Sequence, residues 1–134
     1  MKNQRPPASL ADLPAHTVAA RGSLAVDELR RWADAAGQRF VLADLSGCAD
    51  PRSVLIALGR AFAFPAWYGA NLDALYDCLT DLAEPGAAGV LVVLDHLPST
   101  PRFDAEQRAR LLDVFRDALE PFAAAGVALR VYYR

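Results

Sequence analysis

The chain has 134 residues, of which 54% are hydrophobic and 22% are charged, and its formal net charge is -2. This length is typical of one folded domain with its own core, and the composition excludes wholesale disorder. The small negative charge argues against direct binding to a nucleic-acid backbone, although a local acidic cluster can still attract a basic partner.

The sequence also lacks the signs of a membrane span or a secretion signal. No apolar run approaches the roughly 20 residues that cross a bilayer, and the first ten residues lack the apolar stretch of a signal peptide. We therefore expect a cytoplasmic protein in which Cys48 and Cys78 stay reduced. These cysteines show no CxxC or Cys/His spacing, so no metal site is predicted. The sequence implies no cofactor either.

The first 65 residues predict a tail, two strands and two helices. Residues 1–15 carry three prolines among small and polar residues, which indicates a flexible tail. The pattern after the tail predicts a strand over 16–20, a helix over about 24–36 capped by Ser23 and stopped at Gly37, a strand over 40–45, and a helix that begins at Asp50 and Pro51 and ends before Pro65.

The rest of the chain continues this alternation. It predicts a helix over 71–83 capped by Asn71, a strand over 90–94, a turn over 97–103, a helix from about 104 to 122 closed by Gly126, and a strand over 127–133. Strands that alternate with helices indicate an α/β fold. The sheet is predicted to be small and mainly parallel, with three core strands, an additional N-terminal strand and a helical cover. Residues 16–134 are taken as a single domain.

Three aspartates stand four residues apart on the predicted helix 71–83: Asp73, Asp77 and Asp81. This spacing places their carboxylates in one row, on the side away from the leucines. Like charges at this spacing destabilise a helix by about 0.2–0.5 kcal/mol per pair. An unpaired acidic row is therefore a candidate for contact with a positive partner, beside the aromatic residues of positions 67, 68 and 76. The alternative is a solvated helix face with structural aromatics.

The segment FPAWYGANLDALYDCLTDL, residues 64–82, resembles the signature of the barstar family of intracellular ribonuclease inhibitors. In both, an aromatic pair and a glycine precede Asn-Leu-Asp-Ala-Leu, an aromatic residue and Asp-Cys-Leu-Thr. Residues 114–118, with the sequence VFRDA, resemble the family's penultimate helix near its acidic contact residue. The order of elements also fits over residues 39–134, so residues 16–38 are interpreted as a strand and helix extension.

The resemblance implies an inhibitor without catalytic activity, which plugs the basic active site of a ribonuclease with the acidic helix 71–83. Its carboxylates would imitate the phosphates of RNA, with Asp77 as the central contact and Asp73 paired with a further basic group. The partner-binding residues that follow from it and from the acidic row are Trp67, Tyr68, Gly69, Asn71, Asp73, Tyr76, Asp77, Thr80, Asp81 and Asp117. The partner would be a basic ribonuclease, and the chain is expected to be a monomer when free.

Several positions differ from the family pattern. Ala70 stands in place of an acidic residue, Tyr76 in place of a tryptophan, and Asp117 in place of a glutamate, while residues 81–82 replace a glycine and a tryptophan. These differences leave the fold prediction unchanged. They alter the rim of the predicted contact, and therefore which ribonuclease is recognised.

Two other functions stay open from the sequence. The acidic helix is also suited to docking on a basic partner that is not a nuclease. In addition, Asp95 and His96 follow the predicted strand 90–94, where α/β sheets often place active sites, and they are candidates for the acid and base of a hydrolase. No nucleophile motif or glycine-rich phosphate loop accompanies them, and a polar loop after a strand is the simpler explanation of the pair.

Overall fold

A computed structural model describes residues 5–134. Its strands are His16–Ala20 (β1), Arg39–Asp44 (β2), Gly89–Asp95 (β3) and Ala128–Tyr133 (β4). Its α-helices are Val26–Ala35 (α1), Pro51–Phe62 (α2), Leu72–Thr80 (α3) and Ala105–Ala125 (α4). The four strands form one parallel sheet in the order β1-β4-β3-β2. The prediction of an α/β fold with a parallel sheet and an additional N-terminal strand is confirmed.

Side chains that alternate along the strands divide the core into two parts. Val90, Val92 and Leu94 of β3 pack into the larger cluster with the inner faces of α2, α3 and α4. Leu91 and Val93 belong to the smaller cluster with α1. Because successive side chains of a strand point to opposite faces, the sheet lies between these two helical layers.

Residues 10–13 correct the prediction of a flexible tail over residues 1–15. Leu10–Asp12 form a 3₁₀ helix, and Leu10 and Leu13 are buried against α1 and the sheet. The carbonyl oxygen of Leu13 accepts a hydrogen bond from Nη2 of the buried Arg130 at 3.3 Å. Packing therefore begins earlier than predicted, while residues 1–4 of the predicted tail lie outside the described residues.

The helix boundaries show which caps were predicted correctly. Asp50 accepts the Ser53 amide at 2.8 Å and Pro51 opens α2, as expected. Ser23 does not cap α1, because residues 21–24 form a turn in which the Leu24 amide donates to the Arg21 carbonyl. The helix predicted to reach residue 83 ends at Thr80, where the chain tightens into bonds between residues three apart. No helix within residues 5–134 has the length and apolarity needed to cross a membrane.

Candidate functional site

Helix α3 is fixed at its start by a side-chain cap and along its inner face by buried side chains. Oδ1 of Asn71 accepts the Ala74 amide at 2.8 Å. Leu75, Cys78 and Leu79 are buried, and burial raises the pKa of the Cys78 thiol, which disfavours a reactive thiolate. The inner face therefore serves packing, and the opposite side of the helix is turned outward.

A groove of about 820 Å³ lies between α3 and α4, which pack against each other. It combines four carboxylates with one guanidinium group and three less polar side chains. The lining residues are Leu72, Asp73, Tyr76, Asp77, Val114, Arg116, Asp117 and Glu120. The structure therefore brings together four of the predicted contact residues, namely Asp73, Tyr76, Asp77 and Asp117.

The carboxylates of this groove are not neutralised by other side chains of the described chain. Asp73, Asp77, Asp117 and Glu120 are exposed, and none of them forms an ion pair with another residue between positions 5 and 134. The one guanidinium, that of Arg116, donates instead to Oδ1 of Asp113 at 3.2 Å. The groove therefore presents negative charge to the solvent, and a cationic partner meets carboxylates that are free to bind it.

Two features of the acidic surface differ from the sequence prediction. Glu120 was missed, although it follows Asp117 by three residues on one helix and so shares its face. Asp81, which immediately follows the last residue of α3, lies apart from the groove. It lines a different depression that also includes Arg39 and Glu84. The groove thus combines Asp73 and Asp77 of the predicted row with Asp117 and Glu120 of α4.

The two aromatic residues in the turn before α3 differ in exposure. Trp67 is 59% exposed and is the large hydrophobic side chain that stands out from the surface of the described chain. Tyr68 is half-buried, and its hydroxyl donates to the Leu55 carbonyl at 2.8 Å. Burial raises the pKa of Tyr68 to about 12. A Cβ atom on Gly59 would lie 2.6 Å from the Tyr68 ring, so the ring packs directly on the α2 backbone. Tyr68 anchors the turn that exposes Trp67.

The remaining predicted contact residues have visible structural roles. Gly69 lies in the turn, but the residue with left-handed backbone is the next one, Ala70, at a φ of 51°. The Thr80 hydroxyl donates to the Tyr76 carbonyl at 2.9 Å, within the same helix. Thr80 and the Asn71 cap bond within α3, and neither they nor Gly69 line the groove.

The second candidate, Asp95 and His96, belongs to a compact polar cluster at the carboxyl end of the sheet. His96 has a left-handed φ of 57°, and its Nδ1 lies 3.2 Å from Oδ1 of Asp44 and 3.6 Å from Oδ2 of Asp95. Asp95 also accepts from Nη2 of the buried Arg21 at 2.9 Å. The cluster thereby connects β3 to the segment after β1. Between residues 5 and 134, no group of three His, Cys, Asp or Glu side chains is arranged to hold a metal ion.

A comparison with known protein families finds a match over the part of the chain that forms the groove. The family model described as Barstar (barnase inhibitor) matches residues 38–134, which is more than half of the chain. This stretch contains β2 to β4, the aromatic turn and both helices of the groove, whereas β1 and α1 precede it. None of the curated proteins compared with the chain matches it.

Proposed function

We propose that this chain, which belongs to the barstar family, inhibits a ribonuclease. The carboxylates that line the groove between α3 and α4 occupy the basic active site of the enzyme. The family's description as a barnase inhibitor supports the general role. The observation that carries the proposal is the set of four exposed carboxylates without ion pairs within the described chain, Asp73, Asp77, Asp117 and Glu120, held on two helices that pack together.

The chemistry of RNA cleavage explains why such a surface would inhibit. A ribonuclease concentrates positive groups to stabilise the charge that develops on the phosphoryl group. Carboxylates that replace the RNA phosphate form short, charge-assisted hydrogen bonds with the same groups. Asp77 is placed at the centre of this contact in our proposal, with Asp73 and Asp117 on either side. Because these side chains are attached to packed helices, binding requires little ordering of the backbone.

Trp67 provides a second element of the proposed contact. An exposed aromatic ring beside charged groups is typical of the centre of a protein interface, where it excludes water from the polar bonds. Its 59% exposure leaves most of its surface available for burial by a partner. Complementary charge would also accelerate the encounter of the two proteins, and added salt would slow it.

The proposal includes where and in what form the chain acts. An inhibitor of this kind protects RNA, so we place its action in the cytoplasm, and we propose that it works as a monomer. The rival interpretation keeps the same surface but assigns it to a basic partner without nuclease activity.

An inhibition assay against a panel of purified basic microbial ribonucleases tests this proposal. Cleavage of a fluorogenic RNA substrate is followed while the chain is added. We expect at least one enzyme to lose its activity at an equimolar amount of inhibitor. Affinity capture from cell extract distinguishes the rival: recovery of a basic protein without RNA-cleaving activity, together with no inhibition in the panel, would support docking on another partner.

A further inference from the structure

A separate groove of about 600 Å³ opens at the carboxyl ends of β1 and β4. It shares no lining residue with the acidic groove of α3 and α4. Its lining includes Ala20, Gly22, Leu97, Arg108, Leu112 and Arg134. Its volume lies within the range of about 300–1,000 Å³ that is usual for small-molecule sites.

The topology of the sheet explains why a groove forms here. The connection after β1 leads to α1 on one face of the sheet, whereas the connection after β3 leads to α4 on the other face. Strand β4 lies between β1 and β3, so the two connections diverge around its carboxyl end. Such a divergence opens the crevice in which open α/β sheets commonly bind ligands.

The chemistry of the walls defines what would bind. Leu97, Pro98 and Leu112 are apolar residues of the lining, and Arg108 and Arg134 are its positively charged residues. Neither arginine forms an ion pair with any residue between positions 5 and 134. Arg108 is half-buried, and Nη1 donates to the Pro98 carbonyl at 3.2 Å, which orients the guanidinium and leaves further N–H groups for an anion.

We propose that this groove binds a small organic anion with an apolar body. The carboxylate, sulfonate or phosphate group of the ligand pairs with Arg108, and its apolar part lies against Leu97 and Leu112. Ala20 and Gly22 come from outside the stretch 38–134 that matches the family, so the N-terminal extension completes one wall of the site. The extension thereby adds a ligand site to the fold, independent of ribonuclease inhibition.

Two probes with the same apolar body and opposite charge test the proposal: 2-naphthoate and 2-naphthylmethylammonium. Each is titrated into the full chain, and backbone amide shifts are followed by NMR. We expect saturable binding of naphthoate that shifts the amides of Gly22, Leu97 and Ser99, and about tenfold weaker binding of the cation. Absence of saturable shifts, equal affinity for both probes, or shifts located in another part of the chain would overturn the proposal.

Three variants identify the residues responsible. Arg108→Gln removes the charge and should weaken naphthoate binding about tenfold. Ala20→Phe fills the groove from an exposed position and should abolish binding without removing any charge. Arg31→Gln, at an exposed position of α1, is the charge control and should bind like the parent. Unchanged binding by a folded Arg108→Gln chain would refute the pairing of the ligand anion with Arg108. Unchanged binding by Ala20→Phe would refute the placement of the ligand in this groove, even if Arg108→Gln failed to fold.

Discussion

Replacement of Asp77 by alanine separates the proposed binding role of the carboxylate from any role in folding. The side chain is exposed, forms no ion pair within the described chain, and lies four residues from both Asp73 and Asp81. Each of these like-charge pairs destabilises a helix by about 0.2–0.5 kcal/mol, and alanine also has the higher helix propensity. The free energy of unfolding should therefore stay the same or increase by up to about 1 kcal/mol.

Inhibition should respond in the opposite direction. Removal of one member of a buried charge pair at an interface costs about 2–5 kcal/mol, a range that rests in part on the barstar family itself. At about 1.4 kcal/mol per factor of ten, this corresponds to a loss of affinity of roughly 30-fold to several thousand-fold. A large effect on inhibition without a loss of stability is the signature of a binding residue.

The assay measures inhibition constants and urea unfolding for the parent, for Asp77→Ala and for a control variant, using a ribonuclease that the parent inhibits. Asp34→Ala is the matched control, because Asp34 is exposed on α1 and its removal changes the net charge equally. It should inhibit like the parent. The reasoning is refuted if folded Asp77→Ala inhibits as well as the parent, or if Asp34→Ala loses as much inhibition.

Three further predictions concern the scaffold. Asn71→Ala removes the cap of α3 and should lower the free energy of unfolding by about 1 kcal/mol, whereas Asn71→Asp should retain most of it in the same urea titration. The pKa of Tyr68 is about 12 in the folded state against an ordinary value of 10.0. The stability that Tyr68 gains from its protonated hydroxyl should therefore be complete below pH 10 and disappear towards pH 12. In Tyr68→Phe, the free energy of unfolding measured across this pH range should lack the part of its pH dependence that comes from Tyr68. Arg21→Gln should destabilise the chain by about 3–5 kcal/mol, because it leaves the mostly buried carboxylate of Asp95 without its cation. In thermal unfolding, Arg21→Gln combined with Asp95→Asn should recover part of that loss.

The elements that were predicted well are those specified by neighbouring residues. The leucines of α3 repeat at helical spacing after an asparagine cap, and the Asp50–Pro51 pair opens α2 as expected. The burial of Leu10 and Leu13 follows instead from contacts with α1 and β3, which are distant in sequence. Two leucines in a proline-rich segment have no period that would indicate a core position.

The same distinction applies to the acidic surface. The row of aspartates on α3 is visible from spacing, but the second wall of the groove depends on how α4 packs against α3. Glu120 acquires its place only through that packing, and Asp81, the residue after the end of α3, does not line the groove. The two aromatic residues of the turn are also equivalent in sequence. A hydrogen bond to the distant Leu55 carbonyl makes Tyr68 the anchor and leaves Trp67 exposed.

Measurement of the mode of inhibition tests most directly whether the carboxylates of the α3 and α4 groove occupy a nuclease active site. Initial rates of RNA cleavage are recorded over a range of substrate and inhibitor concentrations with an inhibited ribonuclease. Occlusion of the active site predicts an apparent inhibition constant that rises linearly with RNA concentration, and no complex that contains enzyme, inhibitor and oligonucleotide together. An inhibition constant that is independent of RNA concentration, or a stable ternary complex, would contradict the proposal.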